Sequence, residues 1–315
     1  MKKITLLEAK SLLLKNDNFH ILTHRYPDGD TIGCAFALCY ALRDMGKKAN
    51  VIINGKLPTK FSYLAENYAD QNFLEQYVVS VDVADVKLLG EYKEEYENRI
   101  DLCLDHHASN CVEAENVLVD SSCAAACEII HELIKAMGVE ITKDIANALY
   151  TGVSTDTGCF CYSNTTASTH RIAAELMESG CEFYKINRIN FETKTRAKLK
   201  MERMVYDTME FYCSGKCAII YTTIAMQNAL NAGDDEMEGL ASIPRQIEGV
   251  KIGITMREKE DGTFKVSVRT NDGINACEFC SRFGGGGHVA ASGCSIKGDL
   301  QSVKYMLIKA AEEVL

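Results

Sequence analysis

Two aspartates on either side of a single glycine, with a histidine just ahead, mark the N-terminal part of the chain: His24-Arg25-Tyr26-Pro27-Asp28-Gly29-Asp30. Carboxylates this close repel one another unless a cation lies between them. The calcium loop of an EF-hand is the usual rival for Asp-x-Asp, but it requires a Glu at its twelfth position. Counted from Asp28, that position is Cys39. Three further groups of the same character follow short apolar runs or a helical stretch: Asp82, Asp105-His106-His107 and Asp156. In this collection carboxylates dominate, imidazole is the minority donor and no thiolate is needed, which favours Mn²⁺ or Mg²⁺ over a structural zinc site. The donors suffice for two ions sharing a carboxylate. Such a pair, roughly 3.5–4 Å apart, generates a hydroxide at neutral pH and clamps the oxygens of a phosphoryl group. The chemistry anticipated is hydrolysis of phosphate esters.

The elements that must position these groups read as strands alternating with helices. Apolar runs at 19–23, 49–53, 77–83, 100–104 and 117–119 suit buried strands. Helical spacing appears at 31–45, stopped by Gly46, at 122–137, stopped by Gly138, at 142 to about 151, and at 165–180. This pattern predicts an α/β fold: a large domain with a mostly parallel sheet flanked by helices, then a smaller α/β domain. Acidic and imidazole groups after three separate strands fit a site at the strands' carboxyl ends. The expected boundaries are 1–190 for the first domain, 191–212 for a helical connector and 213–315 for the second. The polar stretch 192–211 also reads as the last helix of the first domain. In the second domain, 218–221, 250–256 and 264–268 are strand candidates, and 235–243, 275–283 and 300–313 helix candidates.

Each piece has an ordinary reading alone. Asp82 suits a helix N-cap, Asp156 a turn beside Thr157-Gly158, and His106-His107 a surface or core pair. Their agreement on one chemistry is what argues against that. The run Gly284-Gly285-Gly286-Gly287-His288 is distinctive too. Glycines admit positive φ, so successive N–H groups can converge on an anion. His288, and Arg269 at the end of a strand, add positive donors suited to a nucleotide phosphate.

Together, His24-x-x-Pro27-Asp28-Gly29-Asp30, Asp82, Asp105-His106-His107 and Asp156 resemble the successive motifs of the DHH phosphoesterase superfamily. Gly284–His288 with Ala290-Ala291-Ser292-Gly293 resembles the glycine-rich signature of the DHH-associated C-terminal domain. The likeness spans nearly the whole chain and is strongest to the stand-alone two-domain oligoribonuclease/pAp-phosphatase (NrnA-like) group. It implies that His24 and Asp28 hold one metal ion, that Asp30, His106 and Asp156 hold a second, and that Asp82 bridges them. It further implies that Asp105 orients a histidine, that His107 serves the substrate phosphate as electrostatic partner or proton donor, and that Asn110 helps through its amide. Gly285, Gly286, Gly287, His288 and Arg269 would bind the nucleotide end. Cys34 departs from the family, which often has Ser there; it is not an expected ligand.

Bulk properties point the same way. A formal net charge of −10 argues against a broad grip on long nucleic acid. No segment has the roughly 18 uninterrupted apolar residues of a membrane span. The N-terminal residues suit an amphipathic helix better than a signal peptide, because Glu8 and Lys10 interrupt the apolar run. The fourteen cysteines read as reduced, mostly buried thiols, the lone Cys277-x-x-Cys280 lacking a partner pair. A cytoplasmic enzyme is expected, with two divalent ions (Mn²⁺ first, Mg²⁺ second). Its expected partners are short RNA oligonucleotides and small nucleotides, with no membrane and no long-nucleic-acid platform; a homodimer is an admissible assembly.

The activity expected is hydrolysis of short oligoribonucleotides to mononucleotides, with dephosphorylation of pAp as a second reaction. The nearest rival is a cyclic di-AMP or pApA phosphodiesterase. The length and second domain speak against a long-strand exonuclease and a manganese pyrophosphatase. A non-catalytic nucleotide sensor is disfavoured by the intact ligand set.

Overall fold

The buried run Phe19–Leu22 (β2) is the strand from which the fold is wound, and it lies inside a six-stranded sheet in a computed structural model describing residues 1–237, 239–271, 273–287 and 289–315. Around it the chain forms β1 (Lys2–Lys3), α1 (Leu6–Lys15), α2 (Gly29–Asp44), β3 (Ala49–Ile52), β4 (Tyr77–Val81), α3 (Lys93–Tyr96), β5 (Leu102–Asp105) and β6 (Asn116–Val119). Next come α4 (Ala126–Met137), α5 (Lys143–Asp156), α6 (Ala167–Glu178) and α7 (Phe183–Asn187). The strand order is β1-β6-β5-β4-β2-β3, and every pairing is parallel. From β2 the chain crosses to β3 on one side, while β4 pairs on the other. The order therefore reverses at β2, and the carboxyl end of such a reversal is where open α/β sheets bind ligands.

Helix α2 is buried from Gly29 to Leu42 because its neighbours cover it on every side. It approaches α5 closely through glycines: a methyl group at Gly29 would stand 2.7 Å from Thr155 Cγ2, and one at Gly33 would overlap the Ala148 carbonyl. Close crossing brings the start of α2 against the end of α5. That end lies further along than the spacing predicts. Ser154, Thr155 and Thr157 look like turn residues, yet their hydroxyls return hydrogen bonds to carbonyls one turn back, so the helix continues to Asp156.

The chain divides into two compact units, Met1–Thr193 and Lys194–Leu315. The stretch 191–212, expected as a helical connector, is not one helix. A π-turn ends at Glu192, α8 (Arg196–Tyr206) starts behind the Thr195 cap, and Glu210–Tyr212 is strand β7. Alternating Glu210-Phe211-Tyr212 pairs with β8 (Cys217–Thr222), and that pairing outweighs helical continuation. The second unit continues with α9 (Ile224–Ala229), α10 (Asp234–Met237), β9 (Ile252–Glu258), β10 (Thr263–Thr270), α11 (Ala276–Ser281), β11 (Gly286–Gly287), β12 (Ala291–Lys297) and α12 (Leu300–Glu312). Of the helix expected at 235–243, the described residues show α10 over Asp234–Met237 and a separate 3₁₀ turn over Leu240–Ser242. Its sheet order is β11-β12-β10-β9-β8-β7, antiparallel except for β8 with β9. All fourteen cysteines are free thiols; eight are buried, and Cys111 and Cys161 are exposed. Among the described residues no helix is long and apolar enough to cross a membrane.

Candidate active site

The turn after β2 places Asp28 as the N-cap of α2, its Oδ1 accepting from the N–H groups of Asp30 (3.1 Å) and Thr31 (3.2 Å). Asp30 then faces back into the protein. Its Oδ2 accepts from Ala126 N (2.6 Å) and its Oδ1 from Cys127 N (2.9 Å), the opening residues of α4. Ala125 has no side chain to cap that helix, so Asp30 does so from across the fold. The positive helix terminus stabilises its charge.

Asp82 follows β4 with φ +56°, a left-handed conformation that costs a non-glycine residue energy and is common at functional sites. The turn leaves its side chain 3% exposed, with no hydrogen-bond donor for Oδ1 among the described residues. Asp105 ends β5 and is fully buried. Its Oδ1 accepts from His106 N (2.8 Å), His107 N (3.2 Å) and His107 Nδ1 (2.8 Å), and its Oδ2 accepts from Asn110 Nδ2 (2.5 Å).

These turns gather the side chains as two triplets. His24 Nε2 lies 3.6 Å from Asp28 Oδ1 and 3.8 Å from Asp82 Oδ2. His106 Nε2 lies 3.8 Å from Asp30 Oδ2 and 3.4 Å from Asp156 Oδ2. Asp82 belongs to both neighbourhoods, because its Oδ1 is also 3.7 Å from His106 Nε2. Donor atoms within the His24–Asp28–Asp82 and Asp30–His106–Asp156 groups all lie within 4.8 Å of one another.

The electrostatics are those of a cation site. Burial, and then the charges of Asp30, Asp28, Asp156 and Asp105, push the Asp82 carboxyl well above its usual range. Asp156 is raised likewise, by burial and by Asp30, Asp28 and Asp105. An orphaned buried carboxylate oxygen among like charges fits a divalent ion, which relieves both penalties. His107 is governed by a different partner. Burial works against its imidazolium, but the Asp105 hydrogen bond and the charges of Asp105, Asp30 and Asp28 together outweigh that and raise its pKa above the usual value. Burial also opposes the charge of Asp105, and the His107 hydrogen bond holds it below the usual range.

Asn110 sits apart from the use expected for it. Its amide donates to Asp105 Oδ2 and to the Val83 carbonyl (3.0 Å), and its Oδ1 accepts from Val112 N (3.1 Å). The amide braces Asp105 and the turn after Asp82.

In the second unit the glycine run differs from an anion nest of four left-handed residues. Only Gly284 (φ +71°) and Gly287 (φ +143°) have positive φ. Gly285 is small for packing, since a methyl there would stand 2.5 Å from Cys294 Cβ. Gly286 and Gly287 pair with Gly293 and Ser292 as an edge strand. Arg269 lies on β10, beside Ala291 of the intervening strand β12. His288 lies outside the described residues.

Sequence reasoning missed Gly152. It has ordinary backbone geometry, but a methyl group there would overlap Cys127 Sγ and stand 2.6 Å from Asp30 Oδ1. Only the sequence Thr151-Gly152-Val153 inside a helical pattern hinted at a close approach.

Comparison with known proteins now decides the family. Residues 18–153 match the model of the DHH family N-terminal domain, and residues 218–315 that of the DHHA1 domain. The bifunctional oligoribonuclease and PAP phosphatase NrnA of Thermus thermophilus is 31% identical over 98% of this chain and 94% of its own length. The chain belongs to the DHH family. It is accordingly a hydrolase acting on phosphate esters. An exopolyphosphatase-related protein from Bacteroides fragilis superposes with a TM-score of 0.89 at 23% identity, covering 98% of this chain and 95% of that one. RecJ of Thermus thermophilus, solved in complex with Mn²⁺, gives 0.55 at 15% identity over 98% of this chain and 55% of its own. These two likenesses concern the fold.

Proposed function

We propose that this DHH protein hydrolyses short oligoribonucleotides to mononucleotides and dephosphorylates pAp to AMP, using two divalent ions, Mn²⁺ foremost. The observation that carries the reading is the pair of His/Asp triplets joined by Asp82, whose buried Oδ1 makes no hydrogen bond among the described residues although His107 Nδ1 (3.4 Å) and His106 Nε2 (3.7 Å) face it. The named activities of the 31%-identical Thermus relative support the choice of substrates. His24 and Asp28 would hold one ion, Asp30, His106 and Asp156 the other, and Asp82 both. When bound, such ions activate water and offset the charge that builds on a phosphoryl group.

The chain's own residues do the rest. Asp30 is clamped by the start of α4, so its geometry is set before any ion arrives. Asp105 fixes the ring of His107 through Nδ1, and Asn110 fixes Asp105. His107, its pKa raised by the hydrogen bond and charge of Asp105, would serve as the proton donor from Nε2 to the leaving oxygen. Residues 1–190 act as the catalytic domain and 213–315 as the substrate-binding one. Arg269, the backbone of Gly285–Gly287 and His288 grip the nucleotide's phosphate. The free thiols agree with a reducing cytoplasm.

The test is a parallel Mn²⁺-supplemented turnover assay on a ribodinucleotide, pAp, pApA and cyclic di-AMP. The reading expects mononucleotides from the dinucleotide and AMP from pAp. Turnover of cyclic di-AMP alone would replace it with the cyclic-dinucleotide reading, and turnover of none would end it.

A further inference from the structure

Asp30 turns its two oxygens to different neighbours. Oδ2 lies 3.8 Å from His106 Nε2, on the side where the second divalent ion is proposed. Oδ1 faces two sulfurs. Cys34 follows Asp30 by four residues on α2, so the two side chains share one face of that helix. Its Sγ stands 3.7 Å from Asp30 Oδ1. Cys127, in the first turn of α4, brings its Sγ to 3.4 Å from Cys34 Sγ and 3.6 Å from the Asp30 carbonyl. Donor atoms of Asp30, Cys34 and Cys127 all lie within 4.8 Å of one another, and the three residues are fully buried.

Packing alone does not call for this trio. A buried thiol needs no carboxylate, and the single proton on Cys34 Sγ serves Cys127 Sγ or Asp30 Oδ1 but not both. The spacing is that of a coordination shell. Around a tetrahedral Zn²⁺, with Zn–S about 2.3 Å and Zn–O about 2.1 Å, two sulfurs stand about 3.8 Å apart and a sulfur and an oxygen about 3.6 Å. The corresponding separations here are 3.4 and 3.7 Å. The Cys127 sulfur is also locked by its surroundings. A methyl group at Gly33 would stand 3.0 Å from it, and one at Gly152 would overlap it. Donors held this firmly need little rearrangement to receive an ion.

We infer that Cys34 Sγ, Cys127 Sγ and Asp30 Oδ1 form a further cation site, one that takes thiophilic ions such as Zn²⁺ and Cd²⁺ and inhibits the enzyme when filled. Sulfur donors favour these ions over Mn²⁺ and Mg²⁺, which prefer oxygen. On binding, each thiol gives up its proton to solvent and its sulfur coordinates the ion. Asp156, with a side chain 28% exposed, marks the side from which the ion enters. Once bound, the ion draws on the same carboxylate as the second Mn²⁺, which is then held less firmly, and turnover falls. That consequence rests on the proposed role of Asp30 in holding Mn²⁺; capture of the ion by the thiols does not.

The experiment adds Cd²⁺ and, separately, Zn²⁺ to the full chain as wild type, Cys34→Ser and Cys127→Ser. Serine at position 34 keeps a donor for Asp30 and removes only the soft atom. Cd²⁺ binding to the metal-free protein is followed by the ultraviolet charge-transfer band of Cd²⁺–thiolate bonds, a signal that needs no activity. Wild type should show the band. In each variant Cd²⁺ affinity should fall by at least the roughly 10- to 100-fold that loss of an outer partner costs a metal site. Zn²⁺ is added to enzyme turning over pAp in saturating Mn²⁺, and its inhibition constant should rise by the same factor in both variants. No band in wild type, or a band at wild-type affinity in either variant, would overturn the inference. Zn²⁺ inhibition unchanged in both variants would overturn it too, leaving Zn²⁺ as a competitor at the His/Asp triplets alone. Absence of any Mn²⁺-dependent turnover in wild type would instead remove the parent reading, with the band still deciding whether the thiols hold the ion.

Discussion

Gly152→Ala sets helix propensity and site geometry against each other. In a helix interior, Gly to Ala is ordinarily worth about 1 kcal/mol of added stability. Gly152 lies within α5, so propensity alone forecasts a tougher protein. The structure forecasts the reverse. The new methyl would overlap Cys127 Sγ and sit 2.6 Å from Asp30 Oδ1, when ordinary contact begins near 3.4 Å. Asp30 cannot retreat without breaking its hydrogen bonds from Ala126 N and Cys127 N, and Cys127 is buried against Cys34 at 3.4 Å. Overpacking of this kind costs about 1–3 kcal/mol. A ligand displaced by something near 1 Å costs about a hundredfold in rate. The expected outcome is a folded enzyme destabilised in urea by about 1–3 kcal/mol, with kcat/KM near a hundredth of wild type and weakened Mn²⁺ binding by titration calorimetry. A variant that gains stability and keeps both Mn²⁺ affinity and turnover would refute the claim that Gly152 leaves the space Asp30 needs.

Asp82→Asn removes a buried charge surrounded by like charges; the metal-free protein should hold or gain stability in thermal melts, while its stabilisation by Mn²⁺ and its turnover collapse. Asn110→Ala takes a brace from Asp105; kcat should fall by about tenfold with KM nearly unchanged, and the alkaline limb of the pH profile should shift with His107. His131 is fully buried, and burial lowers its pKa despite Glu132 and Glu175 beside it. Its folded pKa lies below its unfolded value of about 6.5, so the unfolded chain binds more protons in that interval. Stability should drop as pH falls below about 6.5, and His131→Gln should flatten that part of a chemical-denaturation pH series.

The alternating strands and helices of the first unit were legible because buried parallel strands are short apolar runs and their ends carry the turn residues. The candidate ligands stand out for a related reason: all but Asp156, which ends α5, lie where an apolar run stops. What lay beyond one-dimensional reading involves partners remote in sequence. Asp30 caps a helix that starts 96 residues later, and nothing near Asp30 announces it. The left-handed turn at Asp82 is equally silent, and the close approach at Gly152 shows only as a glycine inside a helical pattern. In the second unit, β12 was missed because Ala291-Ser292-Gly293 reads as loop. Its strand character comes from pairing with β10 along Thr263–Arg269. Composition suggests a phosphate cradle in the glycine run but not its packing, where Gly285 lies against Cys294 and Gly286 pairs with Gly293.

Anomalous diffraction from crystals grown with Mn²⁺ tests the metal reading most directly. The account predicts two peaks per chain, roughly 3.5–4 Å apart, one beside His24 and Asp28, the other beside Asp30, His106 and Asp156, with Asp82 touching both. A single peak, or two peaks that Asp82 does not join, would contradict it.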